Sequence, residues 1–163
     1  MLQFYINDAN IFIDLCDLDI IEEFLKLDMQ LCTTDFVMAE LEERQKRLFG
    51  EKLVVLTTEP ESFAEIILLS ESHSALSFED CTIWFHTIQK DGVMITSDKP
   101  LRNAAIAKGT NVRGILHLFD EMKKQNCMSM QKCISKLEQL KTINPRAPKN
   151  LIDQQIAIWL KNK

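Results

Sequence analysis

The stretch Leu2-Gln3-Phe4-Tyr5-Ile6-Asn7-Asp8-Ala9-Asn10-Ile11-Phe12-Ile13-Asp14-Leu15 decides the fold class of this chain. It begins as an apolar run of β type, breaks at Asn7-Asp8, and then carries apolar residues at helical spacing. A buried strand that passes straight into a helix is the first half of a βαβ unit. The same alternation recurs downstream. Candidate strands at 2–7, 30–33, 53–57, 93–96 and 111–113 are interleaved with candidate helices at 9–15, 18–27, 35–49, 60–72, 77–91, 99–108, 115–125, 129–141 and 149–161. This spacing predicts an α/β three-layer sandwich, with a short central parallel sheet of about five strands, helices on both faces, and extra helices at the C-terminal end. The runs Leu53-Val54-Val55-Leu56 and Val93-Met94-Ile95 are continuously apolar, as strands covered on both faces are.

Helical periodicity is clearest where Cys81, Trp84, Phe85 and Ile88 fall at i, i+3, i+4 and i+7, and again at Met130, Cys133, Ile134 and Leu137. Asp91-Gly92 and Gly109 punctuate the chain before two strands. Asn144-Pro145-Arg146-Ala147-Pro148 is the one clear linker. It precedes a last helix carrying Ile152, Ile156 and Trp159. We expect a core over 1–125 and a helical extension over 126–163 packed on the same domain.

The 163 residues suit one domain with a sizeable core, and 46% hydrophobic residues argue for a folded globule. No apolar run is long enough to span a bilayer, and Met1-Leu2-Gln3-Phe4 has no basic leader segment. Cys16, Cys32, Cys81, Cys127 and Cys133 form no CxxC pair. They read as reduced thiols of a cytoplasmic protein rather than a zinc site. The net charge of −5 argues against a generic nucleic-acid binder, but its distribution is uneven. Residues 1–122 hold 22 acids and 10 bases, whereas 123–163 hold 2 acids and 9 bases. An acidic body could hold a cation while a basic tail attracts phosphate. Alternatively, Lys123, Lys124, Lys132, Lys136 and Lys141 are wet helix faces.

Four acids carry the chemistry: Asp8, Glu40, Asp80 and Asp98. The C-terminal ends of parallel strands converge on one crevice. Carboxylates gathered there would form a hard, all-oxygen site suited to Mg²⁺ or Mn²⁺. Three of them also have local explanations. Asp98 precedes Lys99-Pro100 as an N-cap would, Ser77-Phe78-Glu79-Asp80 reads as a capping box, and Asp8 can cap the helix after it. Glu40 has no such explanation. On a helical wheel for 35–49 it falls between Phe36 and Val37, inside an apolar arc completed by Leu41 and Leu48. An ionised carboxylate on such a face needs a metal or a partner, for which Arg44 is placed.

These motifs resemble the PIN domain, in particular VapC-type toxin ribonucleases and their close relatives. The resemblance rests on Asn7-Asp8-Ala9-Asn10-Ile11-Phe12-Ile13-Asp14-Leu15, Thr34-Asp35-Phe36-Val37-Met38-Ala39-Glu40-Leu41, Leu76-Ser77-Phe78-Glu79-Asp80, and Ile95-Thr96-Ser97-Asp98-Lys99-Pro100-Leu101-Arg102-Asn103-Ala104-Ala105. Gly109-Thr110-Asn111-Val112-Arg113-Gly114-Ile115-Leu116 matches the family's closing strand and helix. By this resemblance Asp8, Glu40, Asp80 and Asp98 are metal ligands and catalytic acids, and Asn10 and Thr96 are supporting polar residues. Asp14 and Asp35 lie outside the quartet.

The resemblance implies a Mg²⁺- or Mn²⁺-dependent endoribonuclease, with RNA as substrate. It further implies the toxin half of a type II toxin–antitoxin pair, an antitoxin protein as partner, and a homodimer. A stand-alone RNA-processing nuclease and a PIN-like binding module are the alternatives. Lys99 and Arg102, just beyond Asp98, are candidate phosphate contacts. His73, His86 and His117 are scattered and form no nucleophile constellation. A haloacid-dehalogenase-type hydrolase needs Asp-x-Asp after the first strand, and this chain has Asp8-Ala9-Asn10.

Overall fold

A computed structural model describes residues 2–162. Five parallel strands form one sheet: β1 (Phe4–Asn7), β2 (Gln30–Thr34), β3 (Val54–Leu56), β4 (Val93–Ile95) and β5 (Asn111–Arg113). Their spatial order is β3-β2-β1-β4-β5. The chain therefore winds outward from β1 to one edge, returns, and winds outward from β4 to the other. The reversal lies between β1 and β4, where crevices form in such sheets. Tyr5, Ile6 and Asn7 pair with Val93, Met94 and Ile95, so both strands end at the same level.

Among the described residues, ten α-helices surround the sheet: α1 (Ala9–Asp17), α2 (Ile21–Leu25), α3 (Asp35–Glu40), α4 (Glu43–Phe49), α5 (Phe63–Ser72), α6 (Phe78–Gln89), α7 (Lys99–Ala107), α8 (Ile115–Lys124), α9 (Met130–Ile143) and α10 (Lys149–Lys161). The architecture is the expected α/β sandwich with a five-stranded parallel sheet. Helix α6 packs across β1, β2 and β4. Its turn into β4 is tight, since a Cβ at Gly92 would lie 2.8 Å from the Phe4 carbonyl oxygen and 2.9 Å from Ile6 Cδ1. No helix of the described residues is long and apolar enough to cross a membrane.

One hydrophobic core runs from Ile6 and Phe12 through Trp84 and Phe119 to Cys133, Leu137, Ile152 and Trp159. The C-terminal helices thus share the core of the sheet. Polar ties reinforce this. Asn144 Nδ2 donates to both oxygens of Asp14 at 3.2 and 3.1 Å, Lys136 Nζ to the Leu18 carbonyl at 2.6 Å, and Trp159 Nε1 to Asp120 at 3.3 Å. All five cysteines are free thiols, three of them buried.

Three local expectations change. The helix expected over 35–49 is two helices. Leu41 turns extended (φ −80°, ψ 146°) so that its side chain stays buried, and the Glu42 N–H is capped by Gln45 Oε1 at 2.9 Å. The wheel drawn for one continuous helix therefore does not apply, and Leu48, assigned to its apolar arc, is 51% exposed. Ile88 is likewise exposed rather than part of the α6 core stripe. Val54 and Val55 are exposed too, and β3 is an edge strand of the sheet.

Candidate functional site

Asp8 follows β1 directly and is buried. Its backbone N–H continues the ladder to the Ile95 carbonyl at 3.0 Å. Its carboxylate caps α1, accepting the Asn10 N–H at Oδ1 (3.4 Å), and accepts the Thr96 hydroxyl at Oδ2 (2.7 Å). Burial pushes Asp8 up to about 6. The Thr96 hydroxyl opposes that rise, while the charges of Asp80 and Asp98 add to it.

Asp98 caps α7 as expected, with Oδ2 accepting the Leu101 N–H at 3.0 Å. Its own N–H donates to Thr96 Oγ1 at 3.0 Å, so one hydroxyl links both acids. Asp80 forms the expected capping box. Its Oδ2 accepts the Ser77 N–H, and its N–H donates to Ser77 Oγ, both at 3.0 Å. Desolvation raises Asp80 against those bonds, and Asp98 and Glu79 raise it further. In Asp80 and Asp98 the capping role uses one carboxylate oxygen, and none of the described hydrogen bonds engages the other.

Glu40 ends α3 and is exposed, not core-facing, and it makes no ion pair with Arg44. Its position is nevertheless electrostatically unfavourable. Partial desolvation, then the charges of Glu79, Asp8 and Asp80, push it up to about 7. Thus Asp8, Asp80 and Asp98 lie within electrostatic reach of one another, and Glu40 within reach of Asp8 and Asp80. They are not a closed ligand set as they stand. Among the described residues, no group of three or more His, Cys, Asp or Glu side chains is arranged to hold a metal ion.

Beneath the acids lies a buried polar layer absent from the sequence-based reading. Thr33 Oγ1 donates to the Asn7 carbonyl (2.7 Å), Thr34 and Thr82 share a hydroxyl hydrogen bond (2.9 Å), and Asn7 Nδ2 reaches the carbonyls of Tyr5 and Cys32. Glu79, the largest charge acting on Glu40, was also missed. The available signal was polarity at strand ends: Asn7, Thr33-Thr34 and Thr96 each interrupt an apolar run.

The remaining residues sort cleanly. Asn10 and Lys99 line a cleft of about 670 Å³ with Asp14, Asp98 and Arg146, and Arg102 lines a smaller cavity beside it. Asp35 accepts the N–H and hydroxyl of Thr58 (2.9 and 2.7 Å) and the Phe36 N–H (2.9 Å). Thr58 in turn meets His86 Nε2 at 3.0 Å. His73 bonds the Leu69 carbonyl, and His117 stacks on Tyr5. None of the three histidines is in the crevice constellation.

Comparison with known proteins bears on the family and the fold. The profile of the PIN domain family matches residues 4–160, so the match continues through α9 and α10. The fold is similar to the crystal structure of PAE2754 from Pyrobaculum aerophilum, with a TM-score of 0.58 and 16% identity over 76% of this chain and 99% of that one. No curated protein sequence matches the chain.

Proposed function

From a chain that belongs to the PIN domain family, whose members are typically nucleases that use divalent metals, we propose a Mg²⁺- or Mn²⁺-dependent endoribonuclease. The observation that carries this reading is the gathering of carboxylates at the sheet's switch point, where the Thr96 hydroxyl joins Asp8 to Asp98, and where burial, with neighbouring carboxylates adding to it, raises Asp8, Glu40 and Asp80. Desolvated carboxylates that also face like charge are stabilised by a cation between them. The donor set is all oxygen, which fits a hard divalent ion.

In this reading Asp8, Glu40, Asp80 and Asp98 hold the ion. A divalent ion held by them would supply polarisation of a phosphate and a lowered pKa for an attacking water. Thr96 positions Asp8 through its hydroxyl and fixes the backbone at Asp98. The capping bonds hold Asp80 and Asp98 at the ends of α6 and α7 and leave one oxygen of each for the ligand. Asn10 supports Asp8 through its backbone, and Lys99 and Arg102 contact substrate phosphate. The toxin role, an antitoxin partner and a homodimer rest on the resemblance of the motifs to VapC-type members.

The test is cleavage of single-stranded RNA by the purified protein with added Mg²⁺ or Mn²⁺. Asp8→Asn should abolish cleavage, and excess chelator should do the same to the unaltered chain. Cleavage that survives either treatment removes the proposal. A co-expressed small protein from a neighbouring reading frame that copurifies and inhibits would support the toxin role.

A further inference from the structure

The basic C-terminal region separates into two classes of residue. Lys124 pairs with Asp120 and Glu121, Lys132 with Glu23, and Lys141 with Asp153 and Glu138. Lys136 is bonded to the Leu18 carbonyl, and Lys123 lies over the Trp159 ring at 5.7 Å. Lys124 pairs within its own helix, and the other four tie separate elements together. Arg146 does neither. Among the described residues it makes no ion pair, and the linker places it in the walls of both cavities that flank Ser97.

The smaller cavity, about 220 Å³, has an apolar floor that includes Ile115, Leu116 and Leu151; its only charged wall residues are Arg102 and Arg146, beside Thr96 and Ser97. Arg102 also has no ion-pair partner among the described residues. Its guanidinium lies against Gly114, where a Cβ would stand 3.5 Å from Nη1. Helices α8 and α10 both begin here, with Gly114 and Pro148 as N-caps and no side-chain hydrogen bond satisfying either end. The Lys149 N–H at the start of α10 is taken by the Ala147 carbonyl at 2.8 Å, so the two unpaired guanidinium groups are the main attraction for an anion here, and the two helix dipoles add to it. The wall is continuous with the acidic crevice, since Thr96 carries the hydroxyl bonded to Asp8. A net positive pocket beside a net negative crevice suits a polyanion whose scissile phosphate sits at the acids.

We infer that Arg102 and Arg146 form a second phosphate-binding subsite, completed by the α9–α10 linker, that grips the RNA strand beside the scissile bond. The inference rests on the RNA-nuclease reading. The guanidinium fork suits bidentate phosphate contact better than an ammonium does.

The experiment is fluorescence anisotropy of a short fluorescein-labelled single-stranded RNA of mixed sequence. The full-length Asp8→Asn chain is titrated in chelator across a series of salt concentrations. Adding Arg146→Ala, or Arg102→Ala, should weaken binding about three- to tenfold and flatten log K against log salt by about 0.7 per lost contact. Arg146→Lys should keep the slope, and Lys124→Ala, which removes an ion-paired lysine, should change neither quantity. Arg146 is exposed, so its variant should fold, as a circular-dichroism melt verifies. Unchanged affinity and slope in both arginine variants overturn the subsite, as does a parent chain that fails to bind the RNA. Cleavage by the unaltered chain is read separately. Metal-dependent cleavage with unaffected arginine variants removes only the subsite, whereas arginine-dependent binding without cleavage removes only the nuclease reading.

Discussion

The Thr96 hydroxyl donates to Asp8 Oδ2 at 2.7 Å, across 88 residues of sequence, and the same oxygen accepts the Asp98 N–H at 3.0 Å. One buried side chain therefore joins the ends of β1 and β4 and sets the spacing of two acids. Thr96→Val removes a donor from a buried carboxylate, and should cost about 1–3 kcal/mol in a urea unfolding experiment. It should also raise Asp8 further, because the hydroxyl now opposes the effect of burial. If the site acts as proposed, kcat falls about ten- to a hundredfold, the acid limb of the pH–rate profile moves to higher pH, and Thr96→Ser restores both.

Stability without metal should fall as pH rises. Asp8 has an ordinary value of 3.8 and stands at about 6 in the fold, so the folded state holds its proton more tightly than the unfolded chain. The cost is absent below the unfolded value, grows between the two, and is complete above the folded one. For buried Asp8 it is on the order of 2–3 kcal/mol. Glu40 extends the window to about 7, and Asp14, also raised to about 6, adds to it. Thermal melts in chelator should show a lower Tm near neutrality than near pH 5. Asp8→Asn should reduce that difference, and Mg²⁺ should raise the neutral Tm of the unaltered chain more than that of the variant.

Asn144 does two things at the linker. Its Nδ2 satisfies both oxygens of buried Asp14, and its Oδ1 accepts the Arg146 N–H at 2.9 Å. Asn144→Ala should cost about 1–3 kcal/mol, since it leaves the Asp14 carboxylate without its donor. It should also loosen the backbone that presents Arg146. A lower urea midpoint together with a flatter salt dependence of RNA binding is the expected pair of results.

Asp35 shares a motif with Glu40 but makes different contacts. Its two oxygens accept three hydrogen bonds, two of them from Thr58, which fasten α3 to the segment after β3. Asp35→Ala should lower stability by about 1–3 kcal/mol and leave the metal concentration for half-maximal cleavage unchanged. A shift in that metal dependence would place Asp35 in the metal site.

The strands β1, β3 and β4 were legible as short β-type apolar runs and β2 and β5 from the recurring strand–helix spacing, and the caps at Asp8, Ser77-Asp80 and Asp98 because they depend on neighbours a few residues away. The break at Leu41 was not. An apolar residue facing the core is compatible with helix or extended backbone, and only packing chose between them. The exposure of Val54 and Val55 was illegible for another reason, since an edge strand and a covered strand can share one composition. The lysines of the C-terminal region share the composition of a phosphate-attracting surface, and only the fold shows Lys124, Lys132 and Lys141 in ion pairs, the partner of Lys132 being distant in sequence.

By itself the sequence determined the local grammar of this protein: strand, acid, helix, repeated until Asp8, Asp80 and Asp98 stood at strand ends and helix starts. Periodicity and capping act over a turn or two, so they can be read along the chain. Tertiary structure decided the strand order β3-β2-β1-β4-β5, which sets Asp8 beside Asp98, brings Glu79 against Glu40, and carries Arg146 to the rim of the crevice. Those placements arise from pairing and packing across tens of residues, where many orders satisfy the same local pattern and burial of a single core selects among them.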